Sequence, residues 1–233
     1  MLTLLPGLIC DKRIYAPQLA AFPNALVIDS YGMADSIERM AWVVLEEADA
    51  RGIDRLDLFG HSMGGRVALE VTALAPDRVR RLALVSTGIH PLKEGEPAKR
   101  AGLQQVGYDN GFEALVDQWL PPMVAEDNRA DPAIYPPMWE MAVSMGQKVF
   151  DAQIAALLGR PEVDALLPTI ACPTLVMTGE NDQWAPPSQH EQIAAAMPNA
   201  ELVIVPGAGH MIQMEAPDAV NAAIADWLAR PAD

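Results

Sequence analysis

The chain is short of cysteine and of positive charge, and it has no apolar run long enough to span a bilayer. Each shortage excludes something. The two cysteines, Cys10 and Cys172, lie one just after the first strand candidate and one just before a later strand candidate. In a parallel sheet that puts them at opposite ends, beyond disulfide reach. Unpaired thiols suit a reducing compartment, so a cytoplasmic location is expected. Lys and Arg total 16 against 31 Asp and Glu, a formal charge of -15. Such a surface repels phosphate backbones and anionic bilayers, so neither nucleic acid nor membrane is expected as a partner. The opening apolar stretch, Met1 to Cys10, has no basic residue ahead of it and is too short to cross a membrane, so it does not read as a secretion signal. No cluster with metal-ligand spacing and no phosphate-cradling glycine loop is visible, so no metal and no cofactor is expected. Repeats and low-complexity tracts are also absent.

What is present is enough apolar residue for one well-cored domain, 51% hydrophobic against 20% charged. Short strand candidates run from Leu2 to Leu5, Ala25 to Ile28, Leu56 to Phe59, Leu82 to Val85, Thr174 to Met177 and Leu202 to Val205. They alternate with helical patterns, which predicts an α/β fold, a mainly parallel six-stranded sheet with helices on both faces. Asp35 with Glu38, Asn110 with Glu113 and Ser188 with Glu191 read as capping boxes that open helices, and Pro217 as a first helical residue. One connection is too long. More than eighty residues separate Ser86 from Pro173, where a crossover needs about 30. The excess carries helical spacing: Phe112, Leu115, Val116, Trp119 and Leu120; then Met138, Met141 and Met145; then Phe150, Ile154, Leu157 and Leu158. This predicts a core domain of residues 1–88 and 166–233 with a helical cap over 89–165, inserted after the fourth strand and placed to roof a pocket.

Gly60-His61-Ser62-Met63-Gly64 marks the chemistry. A strand candidate enters it and a helical pattern, Arg66 to Val71, leaves it. A turn that sharp strains the serine backbone and lifts its hydroxyl clear of the sheet, while the glycines let neighbouring chain approach. A serine hydroxyl needs a base, and the base needs a carboxylate to fix its tautomer. Of the four histidines, His210 follows the small-residue loop Pro206-Gly207-Ala208-Gly209 after the last strand and is the candidate base. His61 is expected to pack beneath the turn, His190 to be a solvated surface residue, and His90 to serve the pocket mouth or a hinge. Asp182, just past a strand end, is the candidate acid, with Glu180 as the lesser one. In a parallel sheet Ser62, Asp182 and His210 emerge at one edge, where open α/β folds build sites. Met63 and Leu8 are the expected backbone donors to an oxyanion, Leu8 through the Pro6-Gly7 bend.

Together these residues resemble the α/β-hydrolase superfamily over essentially the whole chain: Pro6-Gly7-Leu8, the turn at Ser62, Asp182, Gly209-His210, and a lid between Ser86 and Pro173. The resemblance implies an α/β-hydrolase fold in which Ser62 is nucleophile, Asp182 acid and His210 base, with Leu8 and Met63 forming the oxyanion hole. It implies a serine hydrolase, carboxylesterase-like, cleaving esters of small to medium apolar substrates through an acyl-enzyme. A lactonase, a carbon-carbon bond hydrolase and a non-catalytic binder of the same fold are the alternatives. Trp119, Met123, Met138, Trp139, Met141 and Trp184 are the candidate substrate-binding residues, and Arg100, Arg129 or Arg160 could meet a carboxylate on a lactone or diketone. The expected partner is a small apolar ester or lactone. The oligomeric state stays open.

Overall fold

The computed structural model describes residues 1–232. The strands are β1 (Leu2–Leu5), β2 (Leu26–Val27), β3 (Leu56–His61), β4 (Val79–Val85), β5 (Thr174–Gly179) and β6 (Ala200–Val205), in the spatial order β2-β1-β3-β4-β5-β6. Every neighbouring pair is parallel, so all carboxyl ends share one edge. The register sets Leu4 opposite Phe59, Phe59 opposite Ala83 and Ala83 opposite Leu175. Those four residues belong to one apolar cluster, whereas Leu58, Leu82, Leu84 and Val176, one position out of phase, belong to the other. Strand alternation thus feeds a core on each face.

The helices are α1 (Ala16–Ala21), α2 (Ile37–Ala50), α3 (Met63–Leu74), α4 (Glu96–Asn110), α5 (Phe112–Trp119), α6 (Tyr135–Leu158), α7 (Pro187–Ala196), α8 (Ile212–Glu215) and α9 (Pro217–Ala229). On one face α9 buries Val220, Ile224 and Trp227. On the other, α2 buries Met40, Ala41, Val44, Leu45 and Ala48, and α3 and α7 complete the layer through Val67, Val71 and Ile193. Each Val, Leu or Ile fully removed from water in this way contributes about 1.5–3 kcal/mol before the entropic cost.

Helix starts differ from the sequence expectations, and the reasons are local. The cap of α2 is Ser36, whose hydroxyl accepts from the Arg39 N–H at 3.2 Å, one residue after the expected Asp35. Asn110 closes α4 instead of opening a helix, because Gly111 at φ 94° separates α4 from α5 and leaves no room for a box. Pro187 takes the first position of α7, where its fixed φ fits, so Ser188 lies inside the helix. Pro217 opens α9 as expected. Four strands are longer than their apolar runs, as β4 begins at Val79 and β6 at Ala200, whereas β2 keeps only Leu26–Val27 of the expected Ala25 to Ile28.

Between β4 and β5 the chain leaves the sheet and forms α4, α5 and α6. The sequence pattern shows α4 least, since Gly107 is its one buried residue. The methionine and phenylalanine patterns expected as separate helices join in α6, bent at Gly146 where φ is 78°. Leu115, Val116, Trp119, Leu120, Phe150 and Ile154 merge with the first core cluster, which runs on from the sheet into the insertion without a break. No helix among the described residues is long and apolar enough to cross a membrane.

Candidate active site

Ser62 stands between β3 and α3 at φ 54° and ψ -116°, a region that costs a non-glycine residue about 1–3 kcal/mol. Its own backbone holds it there. The Ser62 N–H donates to the Val85 carbonyl at 2.8 Å, and the Ser62 carbonyl accepts from the Gly65 N–H at 3.0 Å and from the Thr87 hydroxyl at 2.8 Å. Close packing supplies the rest: a Cβ on Gly64 would overlap the Leu5 carbonyl, and one on Gly60 would overlap the backbone of Gly64. Strand β1, strand β3 and the first turn of α3 meet there without side chains between them.

His210 follows β6 and returns across the edge. Its Nε2 lies 2.9 Å from Ser62 Oγ and its Nδ1 2.8 Å from Asp182 Oδ2. Since the carboxylate can only accept, Nδ1 carries the proton and Nε2 is free to accept from the serine hydroxyl. Asp182 is tied down beyond β5, where Oδ1 accepts from the Trp184 and Ala185 N–H groups, each at 2.9 Å, and Oδ2 also accepts from the Thr178 hydroxyl at 3.2 Å. Burial alone would raise the Asp182 pKa. The adjacent imidazole and the bonds from His210, Ala185 and Trp184 outweigh it and hold the carboxyl at about 2. Glu180, the lesser candidate, instead accepts from the Gly207 N–H at 3.2 Å at the surface.

The other histidines divide differently from expectation. His61 does lie under the turn, buried, and its Nε2 donates to the His210 carbonyl at 3.0 Å. Burial, then the neighbouring His210, lowers its pKa to about 3, so it is neutral. His190 is a correction, because it is fully buried and not a solvated surface residue. It falls on the inner face of α7, where Nε2 accepts from the Thr87 N–H at 3.1 Å, and burial pulls it down to about 4. It therefore fixes the residue whose hydroxyl holds the Ser62 carbonyl. His90 lines the cavity mouth, and its carbonyl accepts from both Arg66 and Arg160.

A cavity of about 490 Å³ opens above Ser62 and His210. Leu8 and Met63 line it, and the backbone N–H of each has no hydrogen-bond partner among the described residues. Trp119, Met123 and Trp184 line it as well. Met138, Trp139 and Met141 do not, which corrects the expectation for these three. Met138 and Met141 are buried where α6 packs on α5 and the core, and the Trp139 indole donates to Asp117 at 2.7 Å. The wall comes from the other half of α6, through Phe150, Ile154 and Leu157. Arg100 and Arg160 face the cavity, with Arg160 buried against Glu96, whereas Arg129 donates to the Val124 carbonyl elsewhere.

Two anchors were not foreseen. Glu215 accepts from the Gly209 N–H at 3.0 Å, the Met211 N–H at 3.0 Å, the Ala125 N–H at 2.9 Å and the Asn128 amide at 2.9 Å. It thereby clamps both neighbours of His210 to the segment that follows α5, and the His210 N–H itself donates to the Met123 carbonyl at 2.8 Å. Gln153, buried on α6, accepts from the Ile9 N–H at 2.7 Å, beside Leu8. A polar residue on an otherwise apolar helical face was the one signal for Gln153. For Glu215 the signal was a lone carboxylate five positions after His210.

The chain belongs to the Alpha/beta hydrolase family, whose model matches residues 4–223. Over an alignment 250 positions long it is 30% identical to a protein of Caulobacter sp. (strain K31) provisionally named carbamate hydrolase RutD, covering 95% of this chain and 88% of that one. Among solved structures, a thermophilic esterase from Thermogutta terrifontis superposes with a TM-score of 0.89 at 26% identity, covering 97% of this chain and 88% of the esterase. The enol-lactonase from Burkholderia xenovorans LB400 does so with a TM-score of 0.86 at 25% identity, covering 98% and 91%.

Proposed function

We propose that this hydrolase cleaves carboxylic esters through an acyl-enzyme, with Ser62 as nucleophile, His210 as general base and acid, and Asp182 as the group that orients the imidazole. The reading is supported above all by the unbroken pair of hydrogen bonds from Ser62 Oγ to His210 Nε2 and from His210 Nδ1 to Asp182. Ser62 Oγ attacks the ester carbonyl as its proton passes to His210 Nε2, and the Leu8 and Met63 N–H groups receive the oxyanion. A donor of this kind contributes about 3 kcal/mol to the transition state. Collapse of the tetrahedral intermediate breaks the ester C–O bond, and His210 returns the proton to the departing alcohol. Water then attacks the acyl-enzyme by the same route, releasing the acid and restoring the serine.

The apolar part of the substrate lies against Trp119, Met123, Phe150 and Ile154, beneath the insertion over 89–165, which acts as the cap. The likeness to an enol-lactonase favours lactone opening as the second reading, in which the same attack opens a ring. A fluorophosphonate probe tests the chemistry. Labelling of the wild type that disappears in Ser62→Ala fits a serine hydrolase, while unlabelled, folded wild type indicates a non-catalytic binder. Comparing kcat/KM on short acyl esters, lactones and vinylogous diketones then separates the bond types. A strong preference outside esters overturns the esterase reading.

A further inference from the structure

The cavity over Ser62 carries charge of the opposite sign to the rest of the protein. Lys93, Lys99, Arg66, Arg100 and Arg160 line it against only Glu94 and Glu96, in a chain of formal charge -15. The arginines differ in how they are satisfied. Glu96 bonds both Arg100 and Arg160, and Arg160 also donates to the carbonyls of His90, Pro91 and Leu157. Arg66 has no carboxylate partner among the described residues. Its guanidinium donates to two backbone carbonyls, Pro161 at 3.3 Å and His90 at 2.7 Å, which leaves three of its five N–H groups unused.

Two physical costs make this placement informative. Arg66 is only 4% exposed, and a buried cation with no carboxylate bonded to it is expensive, Asp164 and Glu96 acting on it only from a distance. It also sits in the first turn of α3, where the helix dipole disfavours positive charge. Burial and the nearby Arg160 lower its pKa to about 10, which leaves it charged at neutral pH. It lies four positions after Ser62, about one helical turn or about 6 Å along the axis. Arg66 and Ser62 line the same cavity.

We propose that Arg66 is the anion-reading residue of this cavity and that the substrates are esters or lactones bearing a carboxylate, whose charge Arg66 meets while the apolar wall holds the carbon skeleton. The proposal rests on the reading of Ser62 as nucleophile and adds the substrate class. Arg100 and Arg160, already engaged by Glu96, supply attraction at the mouth and not the direct contact.

The test compares ethyl hydrogen succinate with ethyl 4-methylpentanoate, in which an isopropyl group replaces the carboxylate at nearly the same shape, by pH-stat on wild type, Arg66→Gln and Arg66→Lys. Wild type is expected to favour the anionic ester. Arg66→Gln should lose about 10- to 100-fold in kcat/KM on that ester, as for a charged hydrogen bond removed, and change by less than about 3-fold on the neutral one, with partial recovery in Arg66→Lys. A wild-type preference for the neutral ester overturns the proposal. So does an equal loss on both esters, which would make Arg66 only a bolt between the two ends of the insertion. If neither ester turns over, the serine-hydrolase reading has failed, and calorimetry with succinate decides this proposal separately. Binding to Ser62→Ala that vanishes in the Ser62→Ala, Arg66→Gln double variant supports the anion site, and absence of binding to Ser62→Ala overturns it.

Discussion

Glu215 makes a prediction in which structure and rate are coupled. Its two carboxylate oxygens take four hydrogen bonds, three from backbone N–H groups, and two of those three flank His210. Glu215→Gln keeps one oxygen, which can still serve Ala125, Asn128 and Gly209, but turns an amide NH₂ toward the Met211 N–H. One charged acceptor is lost and one donor is left unmet, about 1–3 kcal/mol. For a chain of this size that lowers Tm by about 2–12 °C. The imidazole is held at 2.9 Å from Ser62 Oγ partly by these bonds, and a displacement of about 1 Å at a reacting group costs about 100-fold. Glu215→Gln should therefore lower kcat about 10- to 100-fold with KM changing far less, at a temperature where thermal scans show the variant folded. A Tm loss with kcat intact would refute the positioning argument. Glu215→Ala, which strands all three backbone donors, should cost about 3 kcal/mol or more and so approach the total stability of a typical domain.

Acid should begin to destabilise the fold well above the carboxylate range. His61 and His190 are held neutral by burial at about 3 and about 4, whereas the unfolded chain protonates both near 6.5. The folded state binds fewer protons, so stability is full above about pH 6.5 and falls below it, by about 1.4 kcal/mol per unit for each histidine. Asp182 and Glu96, both lowered to about 2, add to the loss only below about pH 5. Urea midpoints between about pH 7.5 and 5 measure this slope, His190→Gln should flatten it, and a midpoint constant over that range would count against the burial argument. On the other side of the site, Gln153→Leu should strand the Ile9 N–H, cost about 1–3 kcal/mol and lower kcat with little change in KM, because the Leu8 donor loses its anchor. Unchanged kcat in a correctly folded Gln153→Leu would dissociate that anchor from the oxyanion site.

The sheet was legible because β1 to β6 are short apolar runs between turns, and buried parallel strands require that composition. Ser62, Asp182 and His210 could be named because strand ends and small-residue loops restrict where a side chain can emerge. What escaped notice depended on partners distant in the chain. A sequence pattern ranks His190 by its place near a helix start, whereas its burial depends on how α7 lies against β5 and β6. Helix α4 was missed because Gly107 is its one buried residue, so no apolar stripe marks it. Met138, Trp139 and Met141 showed the right composition for a pocket wall, but the bend at Gly146 determines which half of α6 looks into the cavity. Arg66, four positions after Ser62, became informative only once its lack of a bonded carboxylate was visible.

The hydroxyl of Ser62 and the imidazole of His210 are 148 positions apart, and β6, which precedes the imidazole, is an edge strand and the last of the six in chain order. With His210 as the proposed base, a nascent chain would display its serine long before the base could reach it and would turn over no substrate in that interval. Recovery of turnover after dilution from denaturant would time the docking of that terminal strand, an event that backbone spectroscopy blurs into the earlier growth of helices.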